Sequence, residues 1–283
     1  MQIIRDPETL TRELLALREE GKTIAFVPTM GALHDGHMAL VAEARARADH
    51  VVASIFVNPT QFGPDEDLAV YPRREATDAA MLEKEGVAIL WAPDAETMYP
   101  DGPAATLRAS AIGATLEGAS RPGHFDGVAT VVARLFDQVQ PDFALFGEKD
   151  YQQLAVIRDT VAARALPVTI LAVPTQRDAD GLALSSRNAY LSEEERAAAR
   201  TLPRALGEAV QAIEAGGEVE AALERAIQRL TDAGFEPIDY VVLRDAETLG
   251  GPQAGRPARL LAAASIGRTR LIDNLPVSAG VIS

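Results

Sequence analysis

The 283-residue sequence predicts an α/β fold, a parallel sheet with helices on both faces followed by a smaller α+β region. Three observations carry that expectation. Short apolar, β-branched runs alternate with longer helical stretches through the first 175 residues. Polar blocks at 28–37, 58–62 and 147–153 each follow such a run directly, as expected where ligands bind at the carboxyl ends of strands. After residue 187 the pattern changes to long Ala/Glu/Arg helices and then to strands.

Taken in order, residues 8–20 read as an amphipathic helix, with Leu10, Leu14 and Leu17 at helical spacing. Thr23 to Val27 reads as a buried strand that stops at Pro28, and a glycine turn leads to a helix over 36–48. Val51 to Val57 is a second strand, rich in β-branched residues. A helix is expected over 74–85 and a strand at Val87 to Trp91. The Pro- and Gly-rich stretch 92–122 holds one short helix near 109–117. Next come a helix over 126–139, a strand at Phe143 to Phe146, a helix over 151–164 and a strand at Val168 to Val173. Ser192 and Glu195 form a capping box ahead of a long helix that ends at Gly216-Gly217. A helix over 218–233 and strands at 238–243, 258–265 and 269–273 complete the chain. The expected domains are 1–175 and 188–283, joined by a loop at 176–187. No internal repeat or low-complexity tract is evident.

Composition narrows the function. The net charge of −14 disfavours broad binding to nucleic-acid backbones. Cysteine is absent, which excludes disulfides, Cys-ligated zinc and thiol catalysis. No apolar run is long enough to span a bilayer, and the opening Met1-Gln2-Ile3-Ile4-Arg5-Asp6 lacks the pattern of a signal peptide, so a soluble cytoplasmic protein is expected. Lysine occurs only at 22, 84 and 149, and histidine only at 34, 37, 50 and 124. Most of these histidines, and Lys149, fall inside the polar blocks.

The first block runs Pro28-Thr29-Met30-Gly31-Ala32-Leu33-His34-Asp35-Gly36-His37. Its histidines lie three apart at a helix start, where unpaired N–H groups favour phosphate. The block reads as a phosphate cradle with two imidazole donors or as a pair of helix-cap histidines. Zinc is the weaker alternative, because no third ligand accompanies the pair. The second block places Asn58 and Gln61 together at a strand end, as amide donors or as an ordinary Asn-Pro turn. In the third, Arg121 to Val128, Asp126 reads as an N-cap, and Arg121 or His124 as a partner for an anion. The fourth, Gly147-Glu148-Lys149-Asp150-Tyr151-Gln152-Gln153, puts a rare lysine at a strand end, in a turn that is phosphate-binding or simply solvated. The fifth, Leu184-Ser185-Ser186-Arg187-Asn188, offers hydroxyls and a guanidinium in a loop that either closes on phosphates or merely links domains. The chain lacks a Walker A loop, a G-x-G-x-x-G after a strand, and a convincing covalent catalyst.

Together, these blocks resemble the pantothenate synthetase family, from Pro28 to the closing Thr269-Arg270-Leu271-Ile272-Asp273-Asn274. His34-Asp35-Gly36-His37 resembles the HIGH-type signature of adenylate-forming nucleotidyltransferases. Leu184-Ser185-Ser186-Arg187 resembles their mobile KMSKS-type loop, with Leu184 where the family usually has Met. The resemblance implies a Rossmann-like domain that binds ATP and pantoate, a C-terminal lid domain, a homodimer, and ATP used with Mg²⁺. It implies ATP contacts at Met30, Gly31, Ala32, Leu33, His34, Asp35, Gly36 and His37. Further ATP contacts are implied at Gly147, Glu148, Lys149, Asp150, Gln176, Leu184, Ser185, Ser186 and Arg187. Pantoate falls to Gln61 and Gln153, with Gln61 also near β-alanine and Asn58 beside them, and Asp78 is implied as a magnesium neighbour. His34, His37, Lys149 and Arg187 are the expected catalytic donors, with His37 foremost. The implied reaction is ATP-dependent condensation of pantoate with β-alanine through an acyl adenylate. Two rivals remain open: a nucleotidyltransferase that needs no β-alanine, and a nucleotide sensor that binds ATP without turnover.

Overall fold

The computed structural model describes residues 1–64 and 66–279. Its elements, in chain order, are β1 (Gln2–Ile4), α1 (Pro7–Glu19), β2 (Ile24–Thr29), α2 (Asp35–Arg47), β3 (His50–Ile55), α3 (Glu75–Lys84), β4 (Ile89–Trp91), α4 (Ala95–Met98), α5 (Glu117–Ser120), α6 (His124–Val139), β5 (Phe143–Gly147), α7 (Tyr151–Ala163), β6 (Thr169–Val173), α8 (Glu193–Ala199), α9 (Thr201–Glu214), α10 (Val219–Asp232), β7 (Phe235–Asp245), β8 (Ala258–Ile266) and β9 (Thr269–Val277). Two compact units emerge, one of Met1–Glu148 with Val156–Pro174 and one of Lys149–Ala155 with the chain from Thr175 onward.

The first unit is a six-stranded sheet in the order β1-β4-β3-β2-β5-β6, with every pairing parallel. Its four inner strands, β4, β3, β2 and β5, are largely buried, which explains why they read as continuous apolar runs. On one face Ala25, Val27, Val51, Ala53, Leu90 and Leu145 pack with Leu40, Val41 and Ala44 of α2 and Leu82 of α3. On the other, Phe136 of α6 meets Phe26 and Phe146 edge-on, and Trp91 donates to Gln138 at 3.0 Å.

The second unit is built on an antiparallel sheet, β7-β8-β9. Leu260, Ala262, Ala264, Leu271 and Val277 line one face and pack with Leu202, Leu206, Leu230 and other residues of α9 and α10. No helix among the described residues is long and apolar enough to cross a membrane.

The structure departs from the sequence reading in several places, and β2 runs through Pro28 to Thr29 where a stop was expected. The sequence reading has no counterpart of β1, which exists because residues 2–4 pair with β4. The helix expected near 109–117 is a 3₁₀ turn at Ala111–Ala114 followed by α5, separated by Leu116 at φ +49°. The long helix after Ser192 is two helices that meet at Arg200. Finally, α6 starts at His124 behind Gly123, in the left-handed region, so Asp126 is not its cap. The Asp126 carboxylate instead accepts from the Ala109 backbone at 2.8 Å and from Arg108.

Candidate active site

In the first unit the chain runs from β2 outward through β3 and β4, and then β5 takes the other side of β2. The strand order therefore reverses between β2 and β5, and open α/β sheets bind ligands at the carboxyl ends of strands flanking such a reversal. The loop after β2 is the first polar block. The residue ending β5 is Gly147, and a Cβ added there would meet nothing within 4 Å.

The loop after β2 is held from below. Thr29 Oγ1 donates to the Ser54 carbonyl at 2.6 Å and accepts from Gly31 N at 3.1 Å. Asp78 of α3, only 1% exposed, accepts from Ala32 N at 2.8 Å and from Leu33 N at 3.0 Å, one bond to each carboxylate oxygen. Ala32 adopts φ +51°, a conformation that costs a non-glycine residue energy. The buried carboxylate stabilises that conformation through charge-assisted bonds. Gly31 is left-handed as well, at φ +80°, and a Cβ there would lie 3.1 Å from the Asp78 carboxylate.

Beyond this loop, His34 caps α2. Its Nδ1 accepts from Gly36 N at 3.2 Å, while His37 Nδ1 accepts from His34 N at 3.3 Å. A ring nitrogen that accepts a backbone N–H carries no proton, so the proton of each neutral ring sits on Nε2. The two rings tilt together with centroids 4.2 Å apart. The outcome is a pair of oriented Nε2–H donors at the N-terminus of a 13-residue helix, where the macrodipole also favours an anion. The sequence left a phosphate cradle and a pair of cap histidines as alternatives. The cap is formed through the two Nδ1 atoms, and a cap made in this way does not exclude the cradle.

Asn58 and Gln61 follow β3 and are nearly buried, at 1% and 8% exposure. Tyr99 OH donates to Asn58 Oδ1 at 2.6 Å, and Asn58 Nδ2 donates to Gln61 Oε1 at 3.0 Å. This chain of bonds decides how the Gln61 amide is turned. Its Oε1 accepts from Asn58, and its Nε2 donates to Met30 Sδ at 3.2 Å. The structure thus brings Met30, Asn58 and Gln61 together. α6 supports the same segment from behind, and a Cβ at Gly127 would lie 2.3 Å from the Thr60 carbonyl oxygen, so only glycine fits.

Of Arg121 and His124, read from the sequence as partners for an anion, Arg121 has one, and it is the chain's own Glu66. Arg121 forms a two-pronged pair with Glu66 at 2.7 and 2.6 Å. Burial raises the Glu66 carboxyl, and the Arg121 fork more than offsets it, leaving Glu66 below its usual range. His124 Nδ1 lies 2.8 Å from the Gln61 carbonyl, which only accepts, so this nitrogen carries the proton. Its Nε2 then accepts from Arg121 at 3.1 Å. Burial, helped by the Arg121 charge, pushes His124 down to about 4, so the ring is neutral near pH 7 and acts as a fixed brace for Gln61. No local signal marked Asp78, Tyr99, Glu66 or Gly127 for these roles. Each acts through residues distant in sequence.

In the second unit, Lys149 lies in a 3₁₀ turn, Glu148–Asp150, with its side chain 20% exposed and Nζ 3.8 Å from Asp150. Gln152 is buried at 3% exposure, while Gln153 remains partly exposed. The expected connecting loop is a small hairpin: Leu184 N donates to the Gln176 carbonyl at 2.9 Å, and Arg177 bridges to Ala183. Arg177 forks onto Asp273 at 2.8 Å on both prongs, and also donates to the Gly181 carbonyl at 3.0 Å. The carboxylate raises the Arg177 pKa further, against the effect of burial. Ser185 then caps the turn Ser186–Tyr190 by accepting from Arg187 N at 3.3 Å. Asn188 donates to the Ala183 carbonyl at 3.0 Å.

A parallel sheet covered on both faces, with a Gly/His loop leading into a helix at its switch point, defines an α/β protein built to hold a phosphorylated ligand. Comparison with known proteins sharpens that class. The pantoate–β-alanine ligase family model matches residues 2–276. A pantothenate synthetase from Rhizorhabdus wittichii is 62% identical over 278 residues, covering 98% of this chain and 99% of that protein. The crystal structure of pantothenate synthetase from Thermus thermophilus is 48% identical with TM-score 0.89, covering 97% of this chain and 99% of that one. The pantoate–β-alanine ligase of Francisella tularensis, complexed with beta-gamma ATP and β-alanine, is 34% identical with TM-score 0.83, covering 97% of both chains. The chain belongs to the pantoate–β-alanine ligase family.

Proposed function

We propose that this chain condenses (R)-pantoate with β-alanine at the expense of ATP, giving pantothenate, AMP and pyrophosphate through a pantoyl adenylate. The observation that carries this reading is the pair of Nε2–H donors set by the His34 and His37 bonds at the start of α2. Family membership and the ATP and β-alanine bound to the Francisella relative support it.

In the first step a pantoate carboxylate oxygen attacks the α-phosphorus, and the bond from that phosphorus to the pyrophosphate oxygen breaks. In the second, the β-alanine amine attacks the acyl carbon of the adenylate, AMP leaves with the bridging oxygen, and the new amide nitrogen loses its proton. Neither step needs a nucleophile from the protein. Its contribution is alignment and neutralisation of charge growing on phosphate oxygens. His37 and His34 donate to those oxygens, His37 foremost. Lys149 and Arg187 add full charges, and Ser185 and Ser186 add hydroxyl donors. Residues Met30 to His37, Gly147, Glu148, Asp150, Gln176 and Leu184 complete the ATP contacts. Gln61 presents its amide nitrogen to pantoate and stands near β-alanine, Gln153 binds pantoate, and Asn58 holds Gln61 in orientation.

Both oxygens of Asp78 accept backbone N–H bonds, which makes it first an anchor of the loop. Magnesium enters this reading as the ion accompanying ATP, held chiefly by phosphate oxygens and water. A homodimer in the cytoplasm, with residues 188–283 acting as a lid, completes the proposal.

The test is AMP release from ATP and Mg²⁺, with pantoate and β-alanine omitted in turn. AMP formation that needs both substrates and yields pantothenate is the expected result. ATP binding without AMP in any mixture would overturn it and favour a sensor.

A further inference from the structure

The closing segment of the family resemblance, Thr269 to Asn274, has no part in the chemistry above, yet Asn274 is 3% exposed and reaches a catalytic turn. Its Nδ2 donates to the backbone carbonyl of Lys149 at 2.9 Å. Its Oδ1 accepts from Arg259 Nε at 2.6 Å. Arginine only donates, so Arg259 dictates which way the Asn274 amide lies and leaves nitrogen, not oxygen, toward Lys149. The same guanidinium sits 4.2 Å over the ring of Tyr151, whose hydroxyl donates to the Ala246 carbonyl at 2.8 Å. The register pairs Leu261 with Asn274 and Arg259 with Pro276, so Arg259 and Asn274 share one face of the β8–β9 ladder. The turn is therefore gripped at residues 149 and 151 by side chains rooted inside strands.

We propose that Asn274 and Arg259 are positioning residues that set the reach of the Lys149 ammonium. This rests on the reading of Lys149 as a phosphate ligand. Lysine carries its charge on a long flexible stem, so its ammonium is placed accurately only if its backbone is fixed. Holding the Lys149 carbonyl fixes the following peptide plane and aims the side chain.

Asn274→Asp is the discriminating change in the full-length protein. It keeps an acceptor for Arg259 and sets a second oxygen against the Lys149 carbonyl, where a donor stood. We expect kcat to fall by roughly ten- to a hundredfold. KM for pantoate and β-alanine should stay close to those of the parent, and the unfolding temperature should drop by only a few degrees, the cost of one mismatched buried bond. In a cycle with Lys149→Ala, the double variant should be no slower than Lys149→Ala alone, because both changes remove one function. Parental kcat in Asn274→Asp, or losses that multiply in the double variant, overturn the proposal. If Lys149→Ala itself turns over normally, the phosphate-ligand reading of Lys149 fails, and the positioning role with it. If Asn274→Asp does not fold, Arg259→Lys runs through the same cycle with the same expectations.

Discussion

The two sheets carry their polar residues in opposite ways. In the parallel sheet the strands are largely apolar, and the proposed chemistry sits on loops after β2, β3 and β5. In the antiparallel sheet, Asp273, Asn274 and Arg259 lie within strands and are nearly buried. They support the Lys149 turn and the hairpin that leads to Leu184. One sheet carries its polar groups on the loops at its strand ends, and the other holds them inside its strands. The difference follows from backbone geometry. A parallel strand ends in a crossover whose first turn points past the sheet edge. An antiparallel ladder instead exposes alternate side chains along its whole length.

The largest effect expected from breaking this contrast is on the loop side. His37→Ala should lower the rate of pantoyl adenylate formation by roughly 10²- to 10³-fold, the usual loss for one oriented donor. Single-turnover kinetics would read it, with pantoate binding measured separately. Equal losses in rate and in pantoate affinity would remove His37 from its role.

On the brace side, Asp273→Ala leaves the half-buried Arg177 without its carboxylate. It should cost about 3 kcal/mol of unfolding free energy, measured by urea titration. A variant as stable as its parent would mean that the fork adds nothing to the unit.

His124 gives a pH test. Its folded pKa, about 4, lies below the ordinary value of 6.5, so the unfolded chain takes up the proton first. The contribution is fully present above pH 6.5 and is lost as pH falls toward 4, by on the order of 3 kcal/mol. His124→Asn keeps a donor for the Gln61 carbonyl but cannot titrate. Its stability should therefore fall less steeply over that window, and parallel pH curves for the two proteins would contradict the buried neutral ring.

The smallest effect expected is at the anchor of the first loop. Asp78→Asn keeps one acceptor but turns a donor toward a backbone N–H, at a cost of about 2 kcal/mol. Turnover should fall further than that loss of stability explains, because His34 and His37 follow the loop. Unchanged kcat in a destabilised variant would separate the anchor from the chemistry.

Much of the fold was legible because the helices and the central strands obey local rules. Leu10 and Leu14 repeat at helical spacing and are buried, and Ser192 and Glu195 form the capping box their spacing suggested. β1 was not legible, since three residues show no period and depend on a partner 87 positions away. Asp126 misled because a carboxylate near a helix start suits either a cap or a contact elsewhere, and only the Ala109 and Arg108 contacts decide. Arg121 and His124 were legible as polar groups of interest but not as a brace, because Glu66 and Gln61 are their partners only after α6 folds back.

The sequence by itself determined most of the elements, the α/β class and, by resemblance, the family. Those depend on patterns within a turn or a strand, and on motif blocks that survive as text. The tertiary structure alone decided which nitrogen of His34, His37 and His124 bears the proton, how the Gln61 amide is turned, and what fixes the loops. These properties belong to hydrogen bonds such as Asp78 to Ala32, 46 residues apart, and Asn274 to Lys149, 125 apart. A donor acquires its direction only when folding supplies the acceptor.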